Sequence, residues 1–288
     1  MKIRFITNPI SGTRKQKGIE DLIKKYLAFS YDIVYTQKGG DATMLSQKAI
    51  KDRIDIVVAG GGDGTVSECA KALTGSNVAI GVIPCGSGNG FAYHLGMEKD
   101  IKKAILQLNT SIISTIDSCT ANEEKFVNVS GIGFDAHISN LFANNRKRGF
   151  FNYLKLIIKE LSYQPKRYKI EYNNTKREVK SYLIAFANAS QYGNDFEISP
   201  FAKLDDGLID FVIVKAFSKW KIPFFLLKVA KGKVHLSKNV EIIKSKEMSI
   251  ESKNRLVHLD GEPKELKSPI VIKVKPRTLK IFSPNGEK

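Results

Sequence analysis

A chain of 288 residues with 42% hydrophobic content has material for ordinary cores in about two domains. No apolar run approaches the ~20 residues that cross a bilayer, and the start MKIRFITNPISG has too short an apolar stretch for a signal peptide, so a soluble cytoplasmic protein is expected. With 46 Lys and Arg against 29 Asp and Glu the net charge is +17, which calls for an anionic partner and leaves nucleic acid, nucleotide and anionic membrane as its classes.

Lys2 to Thr7 alternates as a short strand, and Asn8-Pro9-Ile10-Ser11-Gly12 follows as a turn rich in hydrogen-bond donors. Ile19, Leu22, Ile23 and Tyr26 recur at helical spacing, after which Tyr31 to Thr36 predicts a second strand. Gly39-Gly40-Asp41-Ala42-Thr43 opens a helix that runs toward Ile50, with Asp41 as its expected N-cap. Ile54, Ile56, Val57, Val58 and Ala59 are too few and too β-branched for a core helix, and predict a buried parallel strand. That run ends in Gly60-Gly61-Gly62-Asp63-Gly64-Thr65, before a helix expected over Val66 to Leu73.

Four glycines ahead of a helix suit a phosphate. They lack the Cβ that keeps an anion off the backbone, they are able to take positive φ, and the helix dipole points at the same spot. Asp63 then stands out, because a carboxylate among phosphate-seeking amides calls for a cation between them, and magnesium is the obvious one. Thr65 sits where the dinucleotide fingerprint needs its last glycine, and neither GxxxxGK[ST] nor HRD occurs in the chain. Val78 to Pro84 predicts a fourth strand ending in a second cluster, Cys85-Gly86-Ser87-Gly88-Asn89-Gly90, whose Ser87 and Asn89 are candidates to meet phosphate or base. This βαβαβα rhythm implies a parallel sheet with helices on both faces and ligands at the carboxyl ends of the strands.

Beyond about Ile116 the rhythm changes. Short alternating segments at Phe126 to Val129, Arg167 to Tyr172, Lys180 to Ala187, Ile209 to Val214, Val240 to Ile243 and Ile270 to Val274 predict a β-rich second domain, interrupted by helices at about 152–161 and 220–228. Domains of 1–118 and 119–288 are therefore expected. Cys69, Cys85 and Cys119 are odd in number and set in apolar surroundings, which predicts buried thiols. Basic residues cluster beside aromatics and leucines at Asn145-Arg146-Lys147-Arg148 and from Trp220 to Lys233, a mixture suited to the interface of an anionic bilayer. Lys203-Leu204-Asp205-Asp206-Gly207-Leu208 offers a hard-cation site or a plain β-turn, and Asp260 and Glu262 lie on another turn between strands.

Taken together, these residues resemble the diacylglycerol kinase catalytic-domain family, which includes bacterial diacylglycerol kinases, sphingosine kinases and ceramide kinases. The resemblance covers nearly the whole chain, through NPISG at 8–12, TQKGGDAT at 36–43, GGGDGTVSE at 60–68, IPCGSGNGFA at 83–92, NVSGIGFDA at 128–136, ISPFAKLDDGLIDFVIV at 198–214 and LDGEP at 259–263. It implies a three-layer α/β nucleotide-binding domain followed by a β-sandwich-like lipid-binding domain, with a last strand at about 279–282 that returns to the first. It also implies an ATP- and Mg²⁺-dependent lipid kinase, associated with the inner face of the cytoplasmic membrane, that phosphorylates a lipid hydroxyl.

Carried over by position, Asn8, Pro9, Ile10, Ser11, Gly12, Thr36, Gly62, Asp63, Gly64, Thr65, Val66, Ser67, Glu68 and Ser87 look like ATP contacts. Lys203, Asp206 and Leu208 look like ligands of a structural magnesium, the first and last through carbonyls, and Glu262 looks like the base, with Asp63 second and Asp260 third. Gly90 replaces an Asp of many bacterial diacylglycerol kinases that serves a magnesium network, and the Gly-Ser-Gly-Asn wording leans toward sphingoid-base kinases. A homodimer is left open. An NAD kinase-like enzyme predicts a GSTAY-like segment, which is absent. A homologue weakened in catalysis is opposed by Asp63 and Glu262, and a nucleic-acid binder leaves the acidic motifs unexplained.

Overall fold

The computed structural model describes residues 1–10, 18–145 and 149–284. The chain divides into two units, Met1–Ser118 with Pro276–Lys288, and Cys119–Lys275.

The first unit alternates strand and helix. Its elements are β1 (Lys2–Thr7), α1 (Ile19–Tyr26), β2 (Ser30–Tyr35), α2 (Asp41–Lys51), β3 (Ile56–Gly61), α3 (Asp63–Leu73), β4 (Ala79–Pro84), α4 (Gly90–His94) and α5 (Ile101–Leu108). The strands are parallel in the order β2-β1-β3-β4. Every residue of β3 and β4 is buried, which is why both read as unbroken apolar runs without alternation. Because the strands are parallel and in register, with Thr7 opposite both Tyr35 and Gly60 and Gly61 opposite Pro84, their carboxyl ends share one edge. The segments containing Asn8, Thr36, Gly62 and Ser87 all leave the sheet there.

Two helix starts differ from expectation. Gly40 is the N-cap of α2, at φ 87°, and Asp41 is the first helical residue. Its carboxylate turns back to accept the amides of Gln37 and Lys38 at 2.8 and 3.0 Å, and these bonds hold it below the usual carboxylate range. α3 begins at Asp63 rather than at Val66, because the Gly62 carbonyl already accepts the Val66 amide at 3.1 Å.

The chain enters the second unit within β5 (Ile112–Ala121). It continues through β6 (Glu124–Phe126), β7 (Val129–Gly133), α6 (Phe134–Ala143), α7 (Phe150–Lys159), β8 (Lys166–Tyr172), β9 (Thr175–Ala187), β10 (Ile209–Lys215), α8 (Ile222–Ala230), β11 (Val240–Ser245), β12 (Glu247–Glu251), β13 (Leu256–Leu259), β14 (Glu262–Glu265) and β15 (Ile270–Ser283). Its ladders are antiparallel, and β9 is their axis. The first half of β9 pairs with β8, and the second half lies between β7 and β10.

Alternate residues of β9 enter different cores. Ile184 and Phe186 pack with Phe126, Tyr168, Phe211 and Ile250, whereas Leu183, Ala185 and Ala187 pack with Val129, Val212, Val214 and Val234. A strand buried on both faces marks the middle of a layered β structure. The chain leaves the second unit within β15. Ile270 lies opposite Ile250 of β12, while Ile281 lies opposite Ile80 of β4 in the first unit. Cys69, Cys85 and Cys119 are all buried thiols outside any disulfide, as expected.

Candidate active site

In the first unit, the two glycine clusters leave the sheet side by side and press backbone on backbone. A Cβ on Gly86 would lie 2.5 Å from the Gly62 Cα, and one on Gly61 would lie 2.6 Å from the Thr65 hydroxyl. Gly60, Gly61, Gly62 and Gly64 all keep negative or extended φ, so the positive φ expected of them is not their use. Three of them permit close approach to Thr7, Thr65 and the second loop. Gly64 is different, since a Cβ there would meet nothing within 4 Å. Open space therefore lies beside Gly64 on the first turn of α3, whose Gly64 and Thr65 amides precede the first intrahelical bond at Val66.

Asp63 joins the two clusters. Its carboxylate oxygens accept the amides of Asn89 at 2.8 Å and Gly90 at 2.9 Å. The unexplained acid is thus a brace that holds the start of α4 against the start of α3, with hydrogen bonds to both oxygens. Asn89 was a candidate for phosphate or base, but its side chain is spent within its own loop. Oδ1 accepts the Gly86 amide at 2.8 Å, and Nδ2 donates to the Gly86 carbonyl and the Tyr93 hydroxyl at 2.9 and 3.0 Å.

Glu68 likewise faces amides, those of Gly40 at 3.0 Å and Thr43 at 3.4 Å, and so satisfies the exposed start of α2. Asn8 donates its amide to the Gly60 carbonyl and accepts the Ile10 amide on Oδ1, folding the turn through Pro9. Thr36 is buried and donates to the Thr7 carbonyl; Thr65, Val66 and Ser67 are buried on α3, and Ser87 is half-buried at the rim of its loop. Ser11 and Gly12, like the basic residues 146–148, lie outside the described residues.

In the second unit, Glu262 is the exposed first residue of β14, opposite Leu259. Asp260 and Gly261 form the two-residue turn between them, at φ 53° and 89°, the conformation that Asp-Gly hairpins favour. Asp260 is no candidate base. It is buried, and its carboxylate accepts the amides of Val127 and Asn128, with a 2.8 Å bond to Asn128.

Both carboxylate oxygens of Asp206 have partners. One carboxylate oxygen accepts the Leu208 amide at 3.0 Å, and the other lies 3.4 Å from the Lys244 ammonium. That ammonium also meets Asp210 at 3.0 Å and the Phe201 carbonyl at 3.5 Å, while Ser199 donates to Asp210 at 2.6 Å. Burial lowers the proton affinity of Lys244, but the carboxylates of Asp210 and Asp206 outweigh it and hold the ammonium charged. The Asp206 carboxylate assigned to a magnesium is thus shared between the Leu208 amide and the Lys244 ammonium. Among the described residues, no three His, Cys, Asp or Glu side chains gather as a metal site.

Residues 2–121 match the family model of the diacylglycerol kinase catalytic domain, and residues 128–283 match that of the YegS C-terminal NAD kinase beta sandwich-like domain. The chain belongs to the diacylglycerol kinase family of lipid kinases. A relative in Chromohalobacter salexigens, named "Probable lipid kinase YegS-like", is 31% identical over 79% of this chain and 76% of its own length. A diacylglycerol kinase of Mycobacterium tuberculosis is 28% identical over 91% and 88%. In fold, the chain is similar to a diacylglycerol kinase crystal structure from Bacillus anthracis, with a TM-score of 0.74, 22% identity and coverage of 100% and 98%.

The residues that the sequence did not single out are Asp135, Tyr192 and His258 behind the Asp260-Gly261 turn, and Asp210 and Lys244 beside Asp206. Polar residue types inside apolar runs, such as His258 between Val257 and Leu259, were the one available signal.

Proposed function

We propose that this protein transfers the γ-phosphate of ATP, bound with Mg²⁺, to the hydroxyl of a lipid alcohol. The observation that carries the reading is the open space beside Gly64, on the first turn of a helix that starts at the carboxyl edge of a parallel sheet. A phosphate at this helix start meets N–H donors and the positive end of α3. Asn8, Thr36 and Ser87 leave the same edge and line the remainder of the nucleotide's path. The Mg²⁺ enters as the counter-ion of ATP, neutralising charge on the transferring phosphoryl group. Asp63 keeps the two glycine loops in contact, so the phosphate cradle is formed before nucleotide arrives.

Glu262 is the base. Its carboxylate is exposed at the head of β14, while its neighbour Asp260 is consumed by backbone amides. An exposed carboxylate on a clamped turn is suited to orient and deprotonate an attacking alcohol. Access to a lipid needs a surface that meets the bilayer, and α8 supplies one. Phe225 and Val229 pack into the core, while Phe224 and Leu227 point outward, beside an exposed Trp220 and Lys221. Exposed rings among ammonium groups match an anionic bilayer surface.

The test is labelled-ATP transfer in micelles with Mg²⁺, onto diacylglycerol, sphingoid base, ceramide and NAD. A phosphorylated lipid supports the reading, and transfer to NAD alone replaces it with the NAD-kinase reading. Glu262→Gln is expected to lower turnover by about 100-fold or more at unchanged melting temperature. Full turnover in that variant removes Glu262 from the chemistry.

A further inference from the structure

Behind the Asp260-Gly261 turn lies a buried polar chain that the transfer reaction does not itself require. Asp135, on α6, accepts the Ala136 amide at 2.8 Å on Oδ1, and its Oδ2 meets His258 Nε2 at 3.1 Å and the Tyr192 hydroxyl at 3.2 Å. Asp135 and His258 are 5% and 3% exposed. On the far side of the ring, His258 Nδ1 lies 3.2 Å from the Gly261 amide nitrogen. The carbonyl of the same glycine accepts the Ser139 hydroxyl. Both backbone polar groups of Gly261, the residue before Glu262, are therefore held by side chains. Gly131 completes the arrangement, because a Cβ at that position would run into the Asp135 carboxylate.

The chemistry of these partners fixes the proton. A backbone amide can only donate, so Nδ1 must be the bare, accepting nitrogen, and the ring proton resides on Nε2, pointed at Asp135. An imidazolium would set Nδ1–H against the Gly261 N–H and release the turn. The other titratable groups facing the pair include Tyr192, Tyr153, Tyr163 and Tyr168. Burial above all, with the Asp135 charge adding to it, holds their hydroxyls well above the ordinary tyrosine range, so they remain neutral.

We propose that Asp135 and His258 are positioning residues that set the Asp260-Gly261 turn through the Nδ1 to Gly261 bond, and so aim Glu262. The inference rests on Glu262 as the base, and its substitutions separate the two nitrogens. His258→Asn keeps an acceptor near the place of Nδ1 and loses the reach to Asp135. His258→Gln keeps the reach to Asp135 and loses that acceptor.

In the full-length protein with its preferred lipid, His258→Asn is expected to hold kcat within about threefold. His258→Gln should lower it by about tenfold or more with KM for ATP unmoved, since displacement of a catalytic group is felt in turnover. Two NMR readings stand apart from activity. The imidazole ¹⁵N signals of His258 should report the neutral Nε2–H form. The Gly261 amide should stay hydrogen-bonded and slow to exchange in the native protein and His258→Asn, and be released in His258→Gln. Equal turnover in the two variants, an Nδ1–H tautomer, or an unaltered Gly261 amide in His258→Gln overturns the proposal. If Glu262→Gln retains full activity, the base assignment falls together with the kinetic half of this inference, and the NMR readings alone decide whether the pair holds the turn.

Discussion

At the scale of single residues, the glycines of one motif have different jobs. Gly86 is a glycine because the neighbouring loop leaves no room for a methyl group, whereas Gly64 is a glycine beside open space. Gly86→Ala should therefore destabilise the fold by about 1–3 kcal/mol through overpacking, seen as a lower urea midpoint. Gly64→Ala should leave that midpoint nearly unchanged and weaken ATP binding, measured by titration calorimetry. If both variants lose stability alike, the open space beside Gly64 is not where the phosphate goes. A second prediction concerns Lys244, whose ammonium is the cation partner of the buried Asp210. Lys244→Met should cost about 2 kcal/mol, less than a fully buried pair because Lys244 is 40% exposed. The melting temperature of the native protein should not move on adding EDTA or Mg²⁺; a clear rise with Mg²⁺ alone would place a divalent ion at Asp206. These roles were hidden from the sequence, since Asp63 with Asn89, or Asp135 with His258, are brought together only by the fold.

At the scale of elements, legibility followed burial pattern. β3, β4 and most of β10 are buried on both faces and read as apolar runs, whereas β8 shows the period of two that one-sided packing imposes. α6 escaped because its buried positions include Asp135 and Ser139, polar residues that break the apolar stripe expected of a helix. β13 and β14 are four residues each and too short for a periodicity to be counted. α8 was legible as a helix, and its outward rings are the feature to test. Trp220→Glu with Phe224→Glu, at 88% and 70% exposure, should abolish co-sedimentation with anionic liposomes and leave the melting temperature alone. Unchanged co-sedimentation would move membrane docking to another surface.

At the scale of the whole molecule, alternation followed by short strands carried the fold class, as the βαβ rhythm and the antiparallel β-rich half both have local signatures. What had no local signature was the partnership of distant segments, above all the closing of the first unit by the end of β15. There Ile281 lies opposite Ile80, the Arg277 amide donates to Asp117, and Thr278 bonds both Ser118 and Gly75. A chain ending at Lys275 should keep the second unit resistant to protease while the first is digested, which peptide mapping would show. Equal resistance of the two units would mean that the first unit does not need its last strand.

That return of the chain has a consequence for biogenesis. Residues 119–275 are contiguous, and all of their partners within the unit exist before the C-terminus has been synthesised. The first unit begins the chain, yet it lacks a strand until residues 276–283 leave the ribosome. The half made first is thus completed last, with the edge of β4 uncovered throughout synthesis and open to pairing with another nascent chain.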